Sequence, residues 1–561
     1  MERPWLKFYE PGVPASIPYP DIPLHQNLAN AAKDYPQSPA TIFFDAVLTY
    51  QELDALADRF AAGLQQMGVR KGDRVAIYLP NCPQFIIAYY GTLRAGGIVV
   101  PCNPLYVARE LEHQLNDSGS ETIVVLSKLY PVVKAVRDRT PLKHVIVTGI
   151  KEYFPPILRF MFTLLKEKKE GHAVDISKDP NTIWFQDFLR AAPAKPQPVP
   201  VTPQDTACLL YTGGTTGVPK AAELSHRNLV ANAIQCSVWC SGQRGQERFL
   251  AALPLFHSYG MTTCMNAGIY LASPIVLLPQ FKLKDVLEAI NKHQPTIFPG
   301  VPTMYVAINN YPDIKDYNLR SIRACISGAA GLPVEVQQKF QQLTGGRLVE
   351  GYGLSEASPV THGNPVFGDC RIGTIGVPFP DTDAKIVDLE TGTRELPPGE
   401  AGELIIKGPQ VMKGYWNRPD ETALVLREGW LYTGDIARRD ADGYFQIVDR
   451  KKDMIIAGGF NIYPRDVEEV LYQHPKIKEA VVAGVPDEYL GEVVKAYVVL
   501  KEGETATEQE IIEFCRQSLA KYKVPRIVEF RKDLPKTMVG KILRRVLVEE
   551  ERAKIAKAKQ Q

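Results

Sequence analysis

DRVAIYLPNCPQFIIAYYGTLRAGGIVVP, residues Asp73–Pro101, reads as strand, helix, strand. DRVAIYL is a β-rich run, CPQFIIAYYGTLRAG a helical stretch, and GIVVP a second buried strand. Alternation of this kind predicts βαβ units and a parallel sheet. Further strands are predicted at ETIVVLS (121–127) and HVIVTG (144–149). Downstream, ASPIVLLP (272–279) precedes a helix, KLKDVLEAINKH (282–293), and then the strand-like TIFPGVP (296–302). The texture changes near Asp449. A basic run and a Gly-Gly turn lead into helix (DVEEVLYQH), strand (EAVVAGV), strand (KAYVVLK), helix (EQEIIEFCRQSLAKY) and strand (RIVEF). The expected fold is α/β: a large multi-subdomain body over 1–449 with mixed and parallel sheets flanked by helices, then a small α+β domain over 450–561. Proline-rich Ala192–Thr202 and Leu396–Gly402 read as connectors, and the charged tail after Glu550 is expected to fray.

The chain has 561 residues, too many for one compact core. Its 65 Lys+Arg balance 63 Asp+Glu, giving a net charge of +2 and no electrostatic reason to propose nucleic acid as a partner. The nine cysteines form no C-x-x-C, which fits free thiols better than a disulfide frame or a zinc site. The N-terminus lacks the apolar stretch of a signal peptide, and no window reaches the ~20 apolar residues of a membrane span. Phe154–Leu165 (FPPILRFMFTLL) and Gly268–Pro279 (GIYLASPIVLLP) come nearest; both are short and contain proline, and Lys166, Lys168 and Lys169 follow the first. Such a segment either lies in a membrane interface or packs on the body as a helical hairpin.

YTGGTTGVPK (211–220) carries the chemistry. Glycines 213, 214 and 217 let the backbone approach a ligand closely. Thr212, Thr215 and Thr216 add hydroxyls and Lys220 a cation, together a cradle for oxyanions. Alone, the stretch is equally a Gly/Thr turn. It is not the GxxxxGK[ST] loop, because Pro219 precedes Lys220 and Ala221 follows it.

Its companions add weight: LPLFHSYG (253–260), SGAAGLP (327–333), GYGLSEAS (351–358), GWLYTGDIA (429–437), DRKKDMIIAGGFNIYP (449–464) and PKTMVGK (535–541). In these motifs, and in their order, the chain resembles the adenylate-forming superfamily of acyl-CoA synthetases, luciferases and peptide-synthetase adenylation domains. Within it the resemblance is closest to bacterial long-chain fatty acid–CoA ligases.

The resemblance implies a two-step reaction. A carboxylate attacks the α-phosphate of ATP to give acyl-AMP and pyrophosphate, and the CoA thiol then displaces AMP. The implied cofactors are ATP and Mg2+, with CoA as co-substrate. The 1–449 body is implied to bind ATP and the acyl group, and the 450–561 domain to be mobile and carry the catalytic lysine, Lys541. Thr212, Gly213, Gly214, Thr215, Thr216, Gly217 and Lys220 are implied to hold phosphates. Gly328, Ala329, Glu350, Gly351, Tyr352, Gly353 and Ser355 would surround the nucleotide, with Tyr352 stacked on adenine. Asp435, Ile447 and Arg450 would take the ribose side, Thr215 and Glu356 the metal, and Lys452 the hinge. His257 and Trp239 are placed near the acyl group, and the Gly458-Gly459-Phe460 loop near CoA. Read alone, several of these are bland: Glu356 a solvated carboxylate, Arg450 part of a solvated basic run, His257 a packed core residue.

Three departures bear on acyl range and rate: Ala-Ala-Glu223 after Lys220, Ala329 where many relatives have glycine, and Asn461 where some carry tryptophan. An apolar tunnel for a tail is expected from 232–240, 258–268 and 298–306, with Trp239, Met261, Met265 and Met304 as candidate lining. The alternatives within the family are an aryl-, short- or medium-chain acid ligase, or an acyl-AMP ligase loading a carrier protein. Outside enzymes, a non-catalytic acyl-binding protein is the rival. The expected partners are small molecules, with peripheral contact on the inner membrane face of the cytoplasm and a homodimer as further expectations.

Overall fold

The computed structural model describes residues 2–212, 219–457, 460–487, 490–537 and 542–558; among these, the side chains of Phe460, Asn461 and 555–558 are also left aside. The chain divides into two compact units, Met1–Asp383 with Lys407–Leu431, and Ala384–Ile406 with Tyr432–Gln561. This contact division is not the 449/450 boundary read from sequence: segments 384–406 and 432–449 fall with the C-terminal residues.

In the first unit the Asp73–Pro101 stretch forms the predicted strand Arg74–Tyr78, helix Pro83–Arg94 and strand Ile98–Pro101. These strands lie at the middle of an eight-stranded sheet. Its order is Gly414–Tyr415, Lys220–Ser225, Thr206–Thr212, Ile98–Pro101, Arg74–Tyr78, Thr122–Leu126, His144–Thr148, Thr182–Trp184. From Thr206–Thr212 onward the pairing is parallel, while Lys220–Ser225 returns antiparallel beside Thr206–Thr212. The parallel strands read as apolar runs because both faces are covered. Ala76, Tyr78, Val100, Ile123, Val125 and Val145 share one core below them. Helix Pro83–Arg94 is buried at every position but its last. Gly91 lets it close on helix Tyr50–Gln66, since an added Cβ would sit 2.8 Å from Phe60 Cβ.

Two four-stranded sheets complete this unit. One runs Phe249–Ala251, Ile275–Leu277, Pro39–Phe43, Ala46–Thr49; the other Ala324–Ser327, Arg347–Gly353, Val360–Gly363, Val377–Pro378. The strand expected at 296–302 does not form as a ladder. Ile297 and Gly300 make isolated bridges, because Pro299 has no N–H to donate and Pro302 already starts a helix.

In the second unit the five predicted C-terminal elements appear in order as Pro464–Tyr472, Ile477–Asp487, Gly491–Leu500, Glu508–Ser518 and Ile527–Phe530. Val467, Leu471, Val482, Ala496, Val498, Ile511 and Val528 form their core. The tail corrects its expectation: Arg544–Ala558 is helical. Glu551 accepts from buried Lys495 at 2.8 Å, and Lys554 reaches Glu529 at 3.1 Å, so a charged sequence is held by specific partners. All nine cysteines are free. Among the described residues no helix is long and apolar enough to cross a membrane.

Candidate active site

Thr212 and Lys220 pair across the two antiparallel strands, so YTGGTTGVPK joins the ends of a hairpin. Gly213, Gly214, Thr215, Thr216 and Gly217 lie outside the described residues. The stems on either side are tied down. The Tyr211 hydroxyl donates to Asp117 Oδ2 at 2.8 Å, and Arg418 donates to Asp117 Oδ1 at 2.9 Å. The Pro219 carbonyl lies 3.1 Å from His113 Nε2. Lys220 is buried, with Nζ 2.8 Å from Glu421 Oε2 and 3.9 Å from the centre of the Tyr415 ring. A carboxylate and an aromatic face together make burial of that ammonium tolerable.

Tyr415 also reaches the second motif. Its hydroxyl donates to Glu356 Oε1 at 2.8 Å. Burial first, and then the Glu356 carboxylate, push that hydroxyl far above its ordinary range, so it remains a donor. Lys220, Tyr415 and Glu356 therefore form one connected group. Replacing Tyr415 with phenylalanine keeps the ring under Lys220 and removes the bond to Glu356. A hydrogen bond to a charged group contributes about 1.5–3 kcal/mol. Tyr415→Phe is therefore expected to lower stability by about 1.5–3 kcal/mol, read as a fall in the urea midpoint, with the ring under Lys220 kept; an unchanged midpoint would show that the bond to Glu356 contributes nothing to the fold.

Glu350–Gly353 closes the strand Arg347–Gly353, whose parallel neighbour Ala324–Ser327 leads into Gly328 and Ala329. Ser327 and Glu350 are register partners, so the SGAAG and GYG motifs leave the sheet side by side. Gly353 is required as glycine: a Cβ there would lie 2.2 Å from the Pro359 carbonyl oxygen. Gly351 is packed similarly, 2.7 Å from Ile326 Cγ2. Tyr352 stands opposite His362, ring centroids 5.9 Å apart. Glu350 is buried and Oε2 accepts from the Leu332 amide at 3.1 Å, a structural bond within this wall. Ala329 takes the left-handed conformation (φ 70°) that glycine adopts freely. Ser355 Oγ lies 3.3 Å from Ser258 Oγ, linking the GYGLSEAS stretch to LPLFHSYG.

His257 Nδ1 accepts from the Tyr259 amide at 3.2 Å and caps the short helix Ser258–Gly260. Trp239 is a core residue. Its indole N–H donates to the Asn364 carbonyl at 3.0 Å, and its ring stacks on Phe379 at 4.5 Å. The three segments expected to line an acyl tunnel do meet at an apolar cavity, where Cys236, Ser237, Cys240, Thr263, Ala267 and Pro299 are among the lining residues. Trp239, Met261, Met265 and Met304 are not in that lining. The cavity has room for about one water, ≈ 10 Å³.

In the second unit Asp435 and Arg450 face each other across antiparallel strands, with Arg450 Nε 3.0 Å from Asp435 Oδ1. Ile447 sits on the same strand as Arg450 and pairs with Ala437. Asp435 is buried while Arg450 is partly exposed, so the carboxylate has a fixed place. Glu403 anchors the surrounding turn, accepting from the Gly434 amide at 3.1 Å and from Lys451 at 2.9 Å. Lys452 is exposed in the turn that follows. Ala457 pairs with Phe460, so Gly458 and Gly459, which lie outside the described residues, connect a hairpin; the Phe460 side chain also lies outside. Lys541 lies outside as well. Its neighbours Lys536 and Ile542 form an antiparallel bridge, and Lys536 is clamped to Glu479 at 2.7 Å.

Asp449 is a titrating group of this unit that sequence reading passed over. It is buried; burial pushes its carboxyl up to about 6, although Arg544 and the Arg465 and Arg450 amides pull the other way. Below about pH 4 the carboxyl is protonated folded or unfolded. Above about pH 6 the folded state must bury an anion, which lowers stability by up to ~3 kcal/mol relative to the acid limit. Arg544 retains Asp453 and Glu468 as partners without it. In Asp449→Asn the fall in this unit's urea midpoint between pH 4 and 7 should therefore flatten; an unchanged slope would contradict the assignment.

His113, Asp117, Tyr415, Arg418 and Glu421 escaped the sequence reading. The available signal was the aromatic pair Tyr415-Trp416 between Gly414 and Pro419, which starts the helix Pro419–Val425, and it was too short to suggest a strand by itself.

Residues 28–416 match the family model described as AMP-binding enzyme, and residues 466–541 match AMP-binding enzyme C-terminal domain. A long-chain-fatty-acid–CoA ligase of Bacillus subtilis (strain 168) is 49% identical over 553 residues, spanning 98% of each chain. One from Escherichia coli O6:H1 is 41% identical over 99% of each. Among solved structures, ATP-bound MatB from Rhodopseudomonas palustris superposes with a TM-score of 0.83 at 30% identity, covering 95% of this chain and 99% of that one. The anthranilate CoA ligase AuaEII in complex with anthranoyl-AMP gives 0.83 at 26% identity, over 96% and 99%. The chain belongs to the AMP-binding, adenylate-forming enzyme family.

Proposed function

We propose that this protein is an AMP-forming long-chain fatty acid–CoA ligase. The observation that carries the reading is the 49% identity to a long-chain-fatty-acid–CoA ligase along 98% of both chains. In the first half-reaction a carboxylate oxygen of the fatty acid bonds to the α-phosphorus of ATP, and the bond to pyrophosphate breaks. In the second, the CoA sulfur bonds to the acyl carbon and AMP leaves. Charge moves between oxygens in both steps, so oriented donors and cations are the catalytic tools.

The tethered 211–220 stems support a phosphate-holding role for the loop between them. The buried Asp435 carboxylate has the acceptor oxygens to take both ribose hydroxyls. Tyr352, with Gly328, Ala329, Gly351 and Gly353, forms the proposed adenine wall. For magnesium, Glu356 offers a hard oxygen: Tyr415 occupies Oε1, and Oε2 is the second donor. Glu356, with Thr215, would hold the ion, since magnesium takes only one or two protein oxygens, and it would supply charge neutralisation at the phosphates. Lys541 is the proposed charge at the reacting centre, Lys452 the pivot between half-reactions, and Gly458–Phe460 the CoA-side loop. The protein is proposed to work in the cytoplasm, drawing its substrate from the inner membrane face.

A second reading, an aryl-acid ligase, is favoured by the likeness to the anthranilate CoA ligase AuaEII, at 26% identity over 96% of this chain. One panel separates them: pyrophosphate release from ATP with palmitate, octanoate, benzoate and acetate, with and without CoA. Palmitoyl-CoA as the fastest product supports the proposal. Benzoyl-CoA as the fastest supports the second reading, and thioester made only on a carrier protein overturns both.

A further inference from the structure

Helix Pro156–Leu165 presents an unusual surface. Only Phe162 is buried along it, with Leu158, one turn earlier, half-buried on the same side. The exposed side chains are large and apolar: Ile157 is 78% exposed, Phe160 65%, Met161 49%, Leu164 66% and Leu165 66%. At ~100° per residue these five occupy one unbroken arc of about 140°. Arg159 and Thr163 fall outside the arc, and Thr163 accepts from Lys151 at 2.9 Å. Lys151 also pairs with Glu167 at 2.6 Å, which fixes the helix on the body with its apolar arc outward.

The patch continues beyond the helix. Phe162 meets Phe154 (5.6 Å between centroids) and Phe154 meets Phe44 (4.7 Å). Phe44 and Val47 of the adjoining hairpin are themselves 42% and 48% exposed. Lys166, Lys168 and Lys169 follow the arc directly and are exposed, against Glu170 as the one exposed acid in that run.

We infer that helix Pro156–Leu165, with Phe44 and Val47, docks this protein reversibly onto an anionic phospholipid bilayer. A wide apolar arc bordered by cations is what an interfacial helix needs: side chains enter the acyl boundary while lysines meet lipid phosphates. A second copy pairing through the same face would offer those lysines no anionic surface, Glu170 being the one exposed acid in the run. The inference rests on the proposed substrate, because a long-chain fatty acid partitions into bilayers and a docked enzyme takes it from there. Of the two sequence alternatives for 154–169, the exposed arc favours the interface over a fully packed hairpin.

The test is co-sedimentation of the full chain with vesicles of phosphatidylcholine alone and of phosphatidylcholine with phosphatidylglycerol. The wild type should bind the anionic vesicles at least about tenfold more tightly, an advantage that falls with salt. Ile157→Ser/Phe160→Ser/Leu164→Ser should lose at least tenfold of that binding, and Lys166→Glu/Lys168→Glu/Lys169→Glu should lose the preference for anionic lipid. Both variants should keep wild-type pyrophosphate release with water-soluble octanoate, which separates loss of docking from loss of the proposed activity. Wild-type vesicle binding by the triple-serine variant overturns the inference. So does a wild-type dimer in solution that this variant converts to monomer without any vesicle binding by either.

Discussion

Lys541→Ala is expected to abolish the first half-reaction while sparing the second. Adenylate formation builds charge on the α-phosphate as an anionic carboxylate approaches it. A cation placed there acts on the transition state more than on bound ATP. Removing one such electrostatic group costs roughly 10²–10³-fold. The second half-reaction does not call on this charge: thioester formation proceeds from acyl-AMP by attack of sulfur on carbon. Acyl-AMP supplied from outside, with CoA, should therefore be converted within a few-fold of the wild-type rate. The measurement is ATP–pyrophosphate exchange set beside single-turnover thioester formation. Equal loss in both would assign Lys541 a structural or a two-step role and would sink the separation of duties. Lys536, earlier in the same motif, is clamped to Glu479 independently of Lys541, so a global effect of the change is unexpected.

Glu356→Ala carries the second large effect. The carboxylate is tied to Tyr415, which supports Lys220, so its position is set by the fold and not by side-chain chance. If it holds magnesium on the phosphates, its removal should lower kcat/KM by about 10²-fold or more and shift the magnesium requirement upward. The diagnostic is the magnesium titration. A large rate loss with an unchanged magnesium dependence would make Glu356 a structural acceptor for Tyr415 and nothing more. Tyr415→Phe gives the internal comparison, because it leaves the carboxylate and loosens only its support.

Legibility followed the range of the forces involved. Strands such as RVAIY and TIVVL were readable because burial on both faces leaves a continuous apolar run. Helix Leu283–His293 was readable from its spacing. The failures were non-local. Residues 296–302 carried a strand-like pattern, but two prolines broke the ladder. The tail after Glu550 carried charges that suggested fraying until Lys495 and Glu529 supplied partners. Trp239 stacks on Phe379 in the core and His257 caps a helix, contacts that motif spacing does not report.

The sequence by itself determined the family and the candidate chemistry, because motif spacing and residue type are local properties of the chain. It also marked the glycine-rich stretch 211–220 as a candidate phosphate loop. Only the tertiary structure decided how that loop is framed. Tyr415, Arg418 and Glu421 come from about two hundred residues away, brought in by the pairing of Gly414–Tyr415 with Lys220–Ser225, and Asp117 comes from the upstream helix Ala108–Ser118. Nothing in a linear pattern reports such a pairing, since a two-residue edge strand has no periodicity to detect. The same holds for Pro156–Leu165: its composition was visible at once, but which side faces outward is set by Phe162 and Lys151 finding their partners on the body.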